Sequence, residues 1–207
     1  MIAQLKMCEN IRMDSQVMRG RIVLKDSIIE DGVITVEGQF ISHICPASDF
    51  SGELPQSSGS TFLPGLVDVH CHGGGGESFP NATTPEAAMQ AVMEHRRHGT
   101  TSLVASCVTA DADTLKARAR TLASLAEKDE IAGIHFEGPF VSHARCGAQD
   151  PTYIVDPDPD LTRELIDECK GYALSMTLAP EKPRAFGEGS VAEALIDGGA
   201  IPSWGHT

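Results

Sequence analysis

From residue 62 to the end of the chain, short apolar runs alternate with longer segments that have helical periodicity. The apolar runs predict five strands, at 62–70, 101–108, 131–137, 173–178 and 201–206. The segments between them predict four helices, at 85–98, 113–126, 161–170 and 190–197. Repeated strand–helix units form a parallel sheet, because each helix carries the chain back to where the next strand starts. The sequence therefore predicts an α/β protein, either a (β/α)8 barrel or a doubly wound open sheet.

The number of units bears on how much of such a fold is present. A (β/α)8 barrel contains eight units and typically about 250 residues. This chain of 207 residues supplies about four and a half units, and it stops at Gly205-His206-Thr207, inside a predicted strand. We therefore expect the sequence to be part of a longer polypeptide, truncated after the fifth strand.

The first 61 residues have a different pattern. Short runs with β-branched residues at 21–25, 32–37 and 39–45 predict strands, separated by turns at Asp31-Gly32 and Glu37-Gly38. The stretch 49–60 is polar and rich in Ser, Gly and Pro, which is typical of a linker. The expected division is a small β domain with its linker at 1–61, followed by the strand–helix domain at 62–207.

Composition excludes several classes of function. The formal net charge of −13 argues against nucleic acid or a membrane surface as the main partner. The sequence has no apolar run of about 18 residues and no signal-peptide pattern at its start. Its six cysteines are irregularly spaced, without a Cys-x-x-Cys pair, which disfavours a zinc finger and a disulfide framework. We expect a cytoplasmic protein with reduced thiols, with Cys71 and Cys107 in the core.

The first predicted strand ends in a His-x-His pair. The run from Phe62 to Val69 predicts a short buried strand, and it continues into His70-Cys71-His72 and four glycines. Side chains alternate between the two faces of a strand, so His70 and His72 should share one face and Cys71 should lie on the other. Two imidazoles on one face can bind one metal ion, and glycines let the backbone turn beside it.

Two other strand ends carry compatible donors. Glu137 ends the third predicted strand, and His206 ends the fifth. In a parallel barrel the chemistry lies at the carboxyl ends of the strands. His70, His72, Glu137 and His206 would then converge as ligands of one or two divalent ions, zinc or iron. A single histidine at a strand end is more often a surface or hydrogen-bonded core residue, so the prediction depends on this convergence; His135, on the same face as Glu137, is a candidate supporting group.

The first predicted helix has recognisable ends. Thr84 is a typical N-cap, Pro85 a typical first helical residue, and Gly99 a typical residue after a helix end. His95 and His98 fall in its last turn, where we expect them near the terminal carbonyl groups.

These motifs resemble those of a known family. The segment from Pro64 to Gly73 resembles the first-strand motif of the amidohydrolase superfamily. Four motifs further along the chain together resemble those of one family in that superfamily, the N-acetylglucosamine-6-phosphate deacetylases: 135–140 (HFEGPF), 147–149 (GAQ), 177–181 (TLAPE) and 205–207 (GHT). The resemblance extends from about residue 30 to the last residue.

The resemblance implies a (β/α)8 TIM barrel of the metal-dependent hydrolase type beside a small β-sandwich formed from both chain ends. It implies hydrolysis of N-acetylglucosamine 6-phosphate to glucosamine 6-phosphate and acetate. By position, Glu137 and His206 correspond to ligands of the main metal, and His70 and His72 to ligands of a second one that Glu137 bridges. Positions 148 and 149, here Ala148 and Gln149, contact the sugar phosphate.

The family places a further metal-binding histidine and the catalytic aspartate on later strands, beyond Thr207. It also pairs subunits, so we expect a homodimer for the full-length enzyme and little activity from these 207 residues alone. Two alternatives stay open. One is another amidohydrolase, dihydroorotase-like or deaminase-like, which would need a modified lysine that the fourth strand lacks. The other is a truncated binding module without catalysis.

Overall fold

The structure is a computed structural model that describes residues 15–207, and it forms two compact units, one up to Pro64 and one from Gly65. From residue 15 onward the smaller unit contains four strands: β1 (Ser15–Val23), β2 (Ile28–Glu37), β3 (Phe40–Pro46) and β4 (Thr61–Phe62). They form one sheet in the order β3-β2-β1-β4, with β1, β2 and β3 antiparallel and β4 parallel to β1. Its assignment to a β-sandwich stays a prediction.

One of the two turns predicted in this unit is wrong. The chain turns at Gly38, which has φ 61, as expected. At Asp31-Gly32, however, β2 continues without a break, and Gly32 pairs with Gly20 on one side and Pro46 on the other. A Cβ atom on Gly32 would lie 2.5 Å from the end of the Ile22 side chain. This glycine therefore makes room for a close neighbour inside a sheet and does not turn the chain.

The larger unit contains a parallel sheet with helices between its strands. Its elements in chain order are β5 (Leu66–Cys71), β6 (Gly73–Gly74), β7 (Glu77–Ser78), α1 (Pro85–Arg97), β8 (Thr100–Val108), α2 (Ala112–Ala126), β9 (Gly133–Glu137), α3 (Pro159–Glu168), β10 (Ala173–Leu178), α4 (Val191–Asp197) and β11 (Ile201–Trp204). Short 3-10 turns lie at His143–Arg145 and Pro151–Tyr153, in the long segment between β9 and α3.

The order of the strands decides between the two candidate architectures. The sheet runs β11-β10-β9-β8-β5, so each parallel strand lies beside the previous one in sequence. A doubly wound sheet would reverse direction at a switch point. Uninterrupted winding in one direction, with a helix between successive parallel strands, is the pattern of a (β/α)8 barrel, of which this unit forms five strands.

The predicted helix signals are confirmed. The Thr84 side chain accepts a hydrogen bond from the backbone N–H of Ala87, Pro85 begins α1, and Gly99 follows the helix with φ 97. In α2 one apolar face is buried against the sheet: Leu115, Ala119, Leu122 and Ala126. None of the helices in the described part of the chain has the length and apolar character needed to cross a bilayer.

The first predicted strand is wrong in two respects. It does not begin at Phe62, because Phe62 pairs with Ile22 in the sheet of the smaller unit and β5 begins at Leu66. Nor is it buried, since Leu66, Val67 and Val69 are 60%, 68% and 69% exposed. In the sheet as described, β5 is an edge strand with β8 as its one neighbour. The prediction of burial rests on the apolar run alone, whereas burial of this strand also needs a neighbour on its free edge, which a closed barrel provides.

Candidate metal centre

Four donors predicted from the sequence lie at the carboxyl ends of three parallel strands. His70 is the second-last residue of β5, and His72 is the first residue after that strand. Glu137 ends β9, and His206 follows β11 by two residues. One donor atom each from His70, His72 and Glu137 lie within 4.8 Å of one another. The Nε2 atom of His206 lies 3.0 Å from Oε1 of Glu137. Barrel winding thus brings residues distant in sequence to one place.

The distances between these donors suit a shared cation. The Nε2 atoms of His70 and His72 are 2.9 Å apart. The Nε2 atom of His72 is 3.1 Å from Oε2 of Glu137, and Nε2 of His70 is 3.7 Å from Oε1. Zinc bonds of 2.0–2.1 Å in a tetrahedral site would place two ligand atoms about 3.3 Å apart. The observed separations bracket that value, so the donors need only small shifts to bind one ion.

The protonation of two rings is set by the backbone. Nδ1 of His72 lies 3.1 Å from the carbonyl oxygen of Ser106, and Nδ1 of His206 lies 2.8 Å from that of Arg145. A carbonyl oxygen can only accept, so each Nδ1 carries a hydrogen and donates it. In the neutral ring, Nε2 then directs its lone pair at Glu137. A lone pair facing a carboxylate oxygen at 3 Å is repelled unless a proton or a metal ion lies between them. Metal-binding histidines are commonly held in this way, with the other ring nitrogen donating to a carbonyl oxygen.

The close approach of the histidines to Glu137 shifts the pKa values of Glu137 and His206 in the metal-free chain. Burial acts to raise the pKa of Glu137, but the hydrogen bond with His206 and the charges of His72 and His70 outweigh it, and the pKa is lowered. Burial acts to lower the pKa of His206, but the Arg145 carbonyl and Glu137 together raise it. Carboxylate and imidazole thus favour opposite charges, which makes Glu137 an anionic donor at neutral pH.

His135 supports the site without offering it a free nitrogen. Its Nδ1 lies 2.7 Å from Oγ of Ser175, and its Nε2 lies 3.2 Å from Oγ1 of Thr177. Its ring centroid is 4.8 Å from that of His70. Burial, followed by the neighbouring charge of His70, lowers the pKa of His135 to about 4. It is therefore a neutral ring that packs against the candidate ligand His70.

Gln149 lies directly on the candidate carboxylate. Its Nε2 donates to Oε2 of Glu137 over 2.6 Å, and its Oε1 accepts from the backbone N–H of Thr109 over 2.7 Å. The side chain is buried, whereas that of the neighbouring Ala148 is exposed. The amide therefore spans from the end of β8 to the end of β9 and fixes one oxygen of Glu137. One of its two N–H groups remains for another acceptor.

The backbone around the site is unusual at two positions. Gly138, after Glu137, has φ 95, and a Cβ atom there would overlap the Thr109 hydroxyl. His206 has φ 54, a conformation that costs a non-glycine residue about 1–3 kcal/mol and that clusters at functional sites. The N–H of Ser142 donates to the His206 carbonyl over 2.9 Å, so the segment after β9 holds His206 in this conformation.

Comparison with known proteins places the chain in a family. The profile of the amidohydrolase family matches residues 61–196. This range includes His70, His72 and Glu137, and it includes every strand of the parallel sheet except β11. The chain therefore belongs to the amidohydrolase family.

Particular relatives are more informative. The chain is 32% identical over 200 residues to N-acetylglucosamine-6-phosphate deacetylase of Bacillus subtilis, an alignment that covers 90% of this chain and 48% of the relative. It is 28% identical over 183 residues to N-acetylgalactosamine-6-phosphate deacetylase of Shewanella sp., which covers 86% and 44%. The chain spans about half the length of the curated relatives it matches.

A solved structure is similar along nearly the whole chain. It is a mutant of N-acetyl-D-glucosamine-6-phosphate deacetylase from Mycobacterium smegmatis in complex with N-acetyl-D-glucosamine-6-phosphate. The TM-score is 0.82 at 32% sequence identity, with 93% of this chain and 50% of that chain covered. This similarity supports the barrel assignment with the path of the backbone over 93% of the chain, in addition to the strand order.

Proposed function

We propose that this chain provides the metal centre of a deacetylase that hydrolyses N-acetylglucosamine 6-phosphate to glucosamine 6-phosphate and acetate. The proposal depends on one observation above all: His70, His72, Glu137 and His206 direct donor atoms at one another from three strand ends. The 32% identity to the Bacillus subtilis deacetylase supports the choice of this amide as substrate.

Amidohydrolases generally depend on a divalent metal, and the donor set here fits one. We assign Glu137 and His206 to a main ion, and His70 and His72 to a second ion. Glu137 has two carboxylate oxygens, each within 3.1 Å of a histidine Nε2, which is the arrangement a bridging ligand requires. Imidazole and carboxylate suit both zinc and iron, so the ion is zinc or iron and the count is one or two.

A divalent cation in such a site supplies Lewis acidity, which polarises an amide carbonyl and makes a water more acidic. The residues of this chain keep the donors ready for it. The carbonyls of Ser106 and Arg145 hold two imidazoles with Nε2 directed inward, and Gln149 fixes the carboxylate of Glu137. We propose that the catalytic acid–base group, an aspartate, and one more metal-binding histidine come from chain outside these 207 residues.

The substrate lies, on this proposal, against Ala148 and Gln149. The small exposed side chain of Ala148 leaves space beside the donors, and Gln149 has one N–H free for a sugar or phosphate oxygen. The partner on this proposal is a small sugar phosphate. We further propose that the full-length enzyme is a homodimer in the cytoplasm. No lysine lies in β10 (Ala173–Leu178), which argues against hydrolases that bridge two ions with a modified lysine there.

Metal binding is the first test. The chain is dialysed against zinc or iron(II), and bound metal is counted by mass spectrometry for wild type, Glu137→Gln and the exposed control Glu164→Gln. We expect Glu137→Gln to bind fewer ions than wild type, because it loses those held by Glu137. Glu164→Gln should bind like wild type, because Glu164 lies on α3 with more than half of its side chain in solvent. Equal binding by all three proteins would remove Glu137 from the site.

Acetate release is the second test. N-acetylglucosamine 6-phosphate and its galactose epimer are offered to the 207-residue chain, and to a chain extended with the remaining barrel strands of the Bacillus subtilis relative. We expect acetate only from the extended chain, faster with the glucose epimer, and none from its Glu137→Gln variant. If the extended chain neither turns over nor binds the sugar phosphate, a non-catalytic module would be favoured, even if metal is bound. Preference for a different amide would indicate another amidohydrolase.

A further inference from the structure

A second group of metal-binding side chains lies apart from the four donors described above. Asp68, Cys71 and His95 each offer one donor atom, and these atoms lie within 4.8 Å of one another. Sγ of Cys71 is 3.1 Å from Nε2 of His95. The carbonyl oxygen of Gly73 lies 3.0 Å from that Nε2 and 3.6 Å from Sγ. Sulfur, nitrogen and two kinds of oxygen thus surround one point between β5 and α1.

An irregularity in β5 creates this grouping. Residues three apart on a regular strand face opposite sides, so Asp68 and Cys71 would normally point apart. Here the pairing runs from Asp68↔Leu103 to Cys71↔Ala105, three steps on β5 against two on β8. Such a bulge turns the strand and re-aims a side chain. Oδ1 of Asp68 accepts from the N–H of His70, which stabilises the bulge, and the carboxylate keeps acceptor capacity on its second oxygen.

The segment of glycines after the strand fits around His95. A Cβ atom on Gly74 would lie 2.9 Å from Nε2 of His95, so the ring packs against bare backbone. Gly73 pairs with Ser78 in the small β6–β7 hairpin, which fixes the direction of its carbonyl. His95 therefore does not point at the carbonyls that end α1, as the sequence suggested, but toward Cys71 and the Gly73 carbonyl.

We propose that Asp68, Cys71, His95 and the Gly73 carbonyl bind a divalent cation of the zinc type, separate from the centre at Glu137. Four donors that include a thiolate and an imidazole match the tetrahedral coordination and ligand preference of zinc. Bonds of 2.3 Å to sulfur and 2.0–2.1 Å to nitrogen would place those two atoms about 3.5 Å apart, which requires only a small outward shift. As the ion binds, the thiol releases its proton to water, and the hydrogen that His95 donates from Nε2 to the Gly73 carbonyl is replaced by one on Nδ1.

The ion would join three pieces of structure. It connects β5, α1 and the start of the β6–β7 hairpin, and Cys71 lies between His70 and His72 in sequence. The backbone that carries both imidazoles would then be fixed from the opposite face of the strand. The site is thus structural, and its occupancy does not depend on whether the Glu137 centre deacetylates a sugar.

Cobalt provides a test with a signal specific to sulfur. We expect the cobalt(II)-loaded chain to show a near-ultraviolet sulfur-to-cobalt charge-transfer band. The band should persist in Glu137→Gln and in Cys146→Ser, a control that removes the more accessible thiol near His206. It should disappear in Cys71→Ser, and His95→Gln should weaken cobalt affinity at this site at least tenfold. A wild-type chain without the band, or a band that survives in Cys71→Ser, would overturn the proposal.

A second measurement does not require the Cys71 variant to fold. Zinc-edge X-ray absorption of the zinc-loaded Glu137→Gln chain should show one sulfur neighbour at about 2.3 Å, because this variant retains Asp68, Cys71 and His95. A shell of nitrogen and oxygen alone, or no bound zinc, would contradict the proposal. Because this variant lacks Glu137, failure here and failure of the deacetylase proposal are separate results.

Discussion

Replacing Gln149 with leucine removes the one side chain that connects the end of β8 to the candidate carboxylate. The volume changes little, but two hydrogen bonds are lost, at 2.6 Å to Oε2 of Glu137 and at 2.7 Å from the N–H of Thr109. A hydrogen bond to a charged group contributes about 1.5–3 kcal/mol, and a buried donor left without acceptor costs about 1–3 kcal/mol. Water reaches Glu137, whose side chain is 16% exposed, so we expect a combined loss of about 3 kcal/mol.

This loss is measured by urea unfolding of the metal-free chain, followed by circular dichroism. A decrease of about 3 kcal/mol corresponds to a fall of about 6–12 °C in Tm for a chain of this size. The slope of unfolding free energy against urea should not change, since the area exposed on unfolding is the same. Groups that orient a metal ligand typically contribute 10–100-fold to metal affinity, so zinc should bind Gln149→Leu that much more weakly.

Gln149→Glu separates the two contacts. It keeps an acceptor for the Thr109 N–H but places a second carboxylate against Glu137, so the metal-free chain should be destabilised while zinc binding stays at least as tight as in wild type. Unfolding free energies within 0.5 kcal/mol of wild type for Gln149→Leu, together with unchanged zinc affinity, would show that the amide does not position Glu137.

Three further results are expected. The pKa of His135 is about 4 in the folded chain against an ordinary 6.5, so between these values the unfolded chain binds the extra proton. From pH 4 to pH 6.5 the metal-free unfolding free energy should therefore rise by about 3 kcal/mol more in wild type than in His135→Gln, and equal rises in the two proteins would contradict the lowered pKa. Leu122→Ala, at a fully buried position of α2, should cost about 2–5 kcal/mol in urea unfolding, and a cost below 1 kcal/mol would contradict its place in the core. Thr84→Ala should cost about 1 kcal/mol and Thr84→Ser almost nothing, which thermal unfolding can distinguish.

The elements of the larger unit were predictable because their signals are local. Thr84 and Pro85 specify the start of α1 through the chemistry of the first helical turn alone. The pairing of His70 with His72 follows from alternation along a strand, and their approach to Glu137 follows from parallel winding. The barrel, as opposed to an open sheet, needed the resemblance to a family, since strand order is not a local property.

The wrong predictions arise from neighbours that the sequence does not show. Phenylalanine has a high strand propensity, so Phe62 is expected in a strand. Which sheet it joins, however, depends on Ile22, forty residues earlier. Gly32 follows an aspartate as in a turn, yet its role is set by the side chain packed beside it.

The supporting contacts of the site were also not visible in the sequence. Ser106 and Arg145 act through backbone carbonyls, which every residue has, so their side chains give no signal. The bond from Gln149 to Glu137 depends on the path of a long loop. The bulge between Asp68 and Cys71 similarly depends on the register with β8.

Anomalous diffraction at the zinc edge from crystals of the zinc-loaded chain tests directly whether the four donors share a cation. We expect a peak within about 2.0–2.2 Å of a Glu137 carboxylate oxygen and of the Nε2 atoms of His206, or of His70 and His72, or of both sets. A zinc-free space among these four side chains, with zinc bound at other residues under saturating conditions, would contradict the assignment of this site as a metal centre.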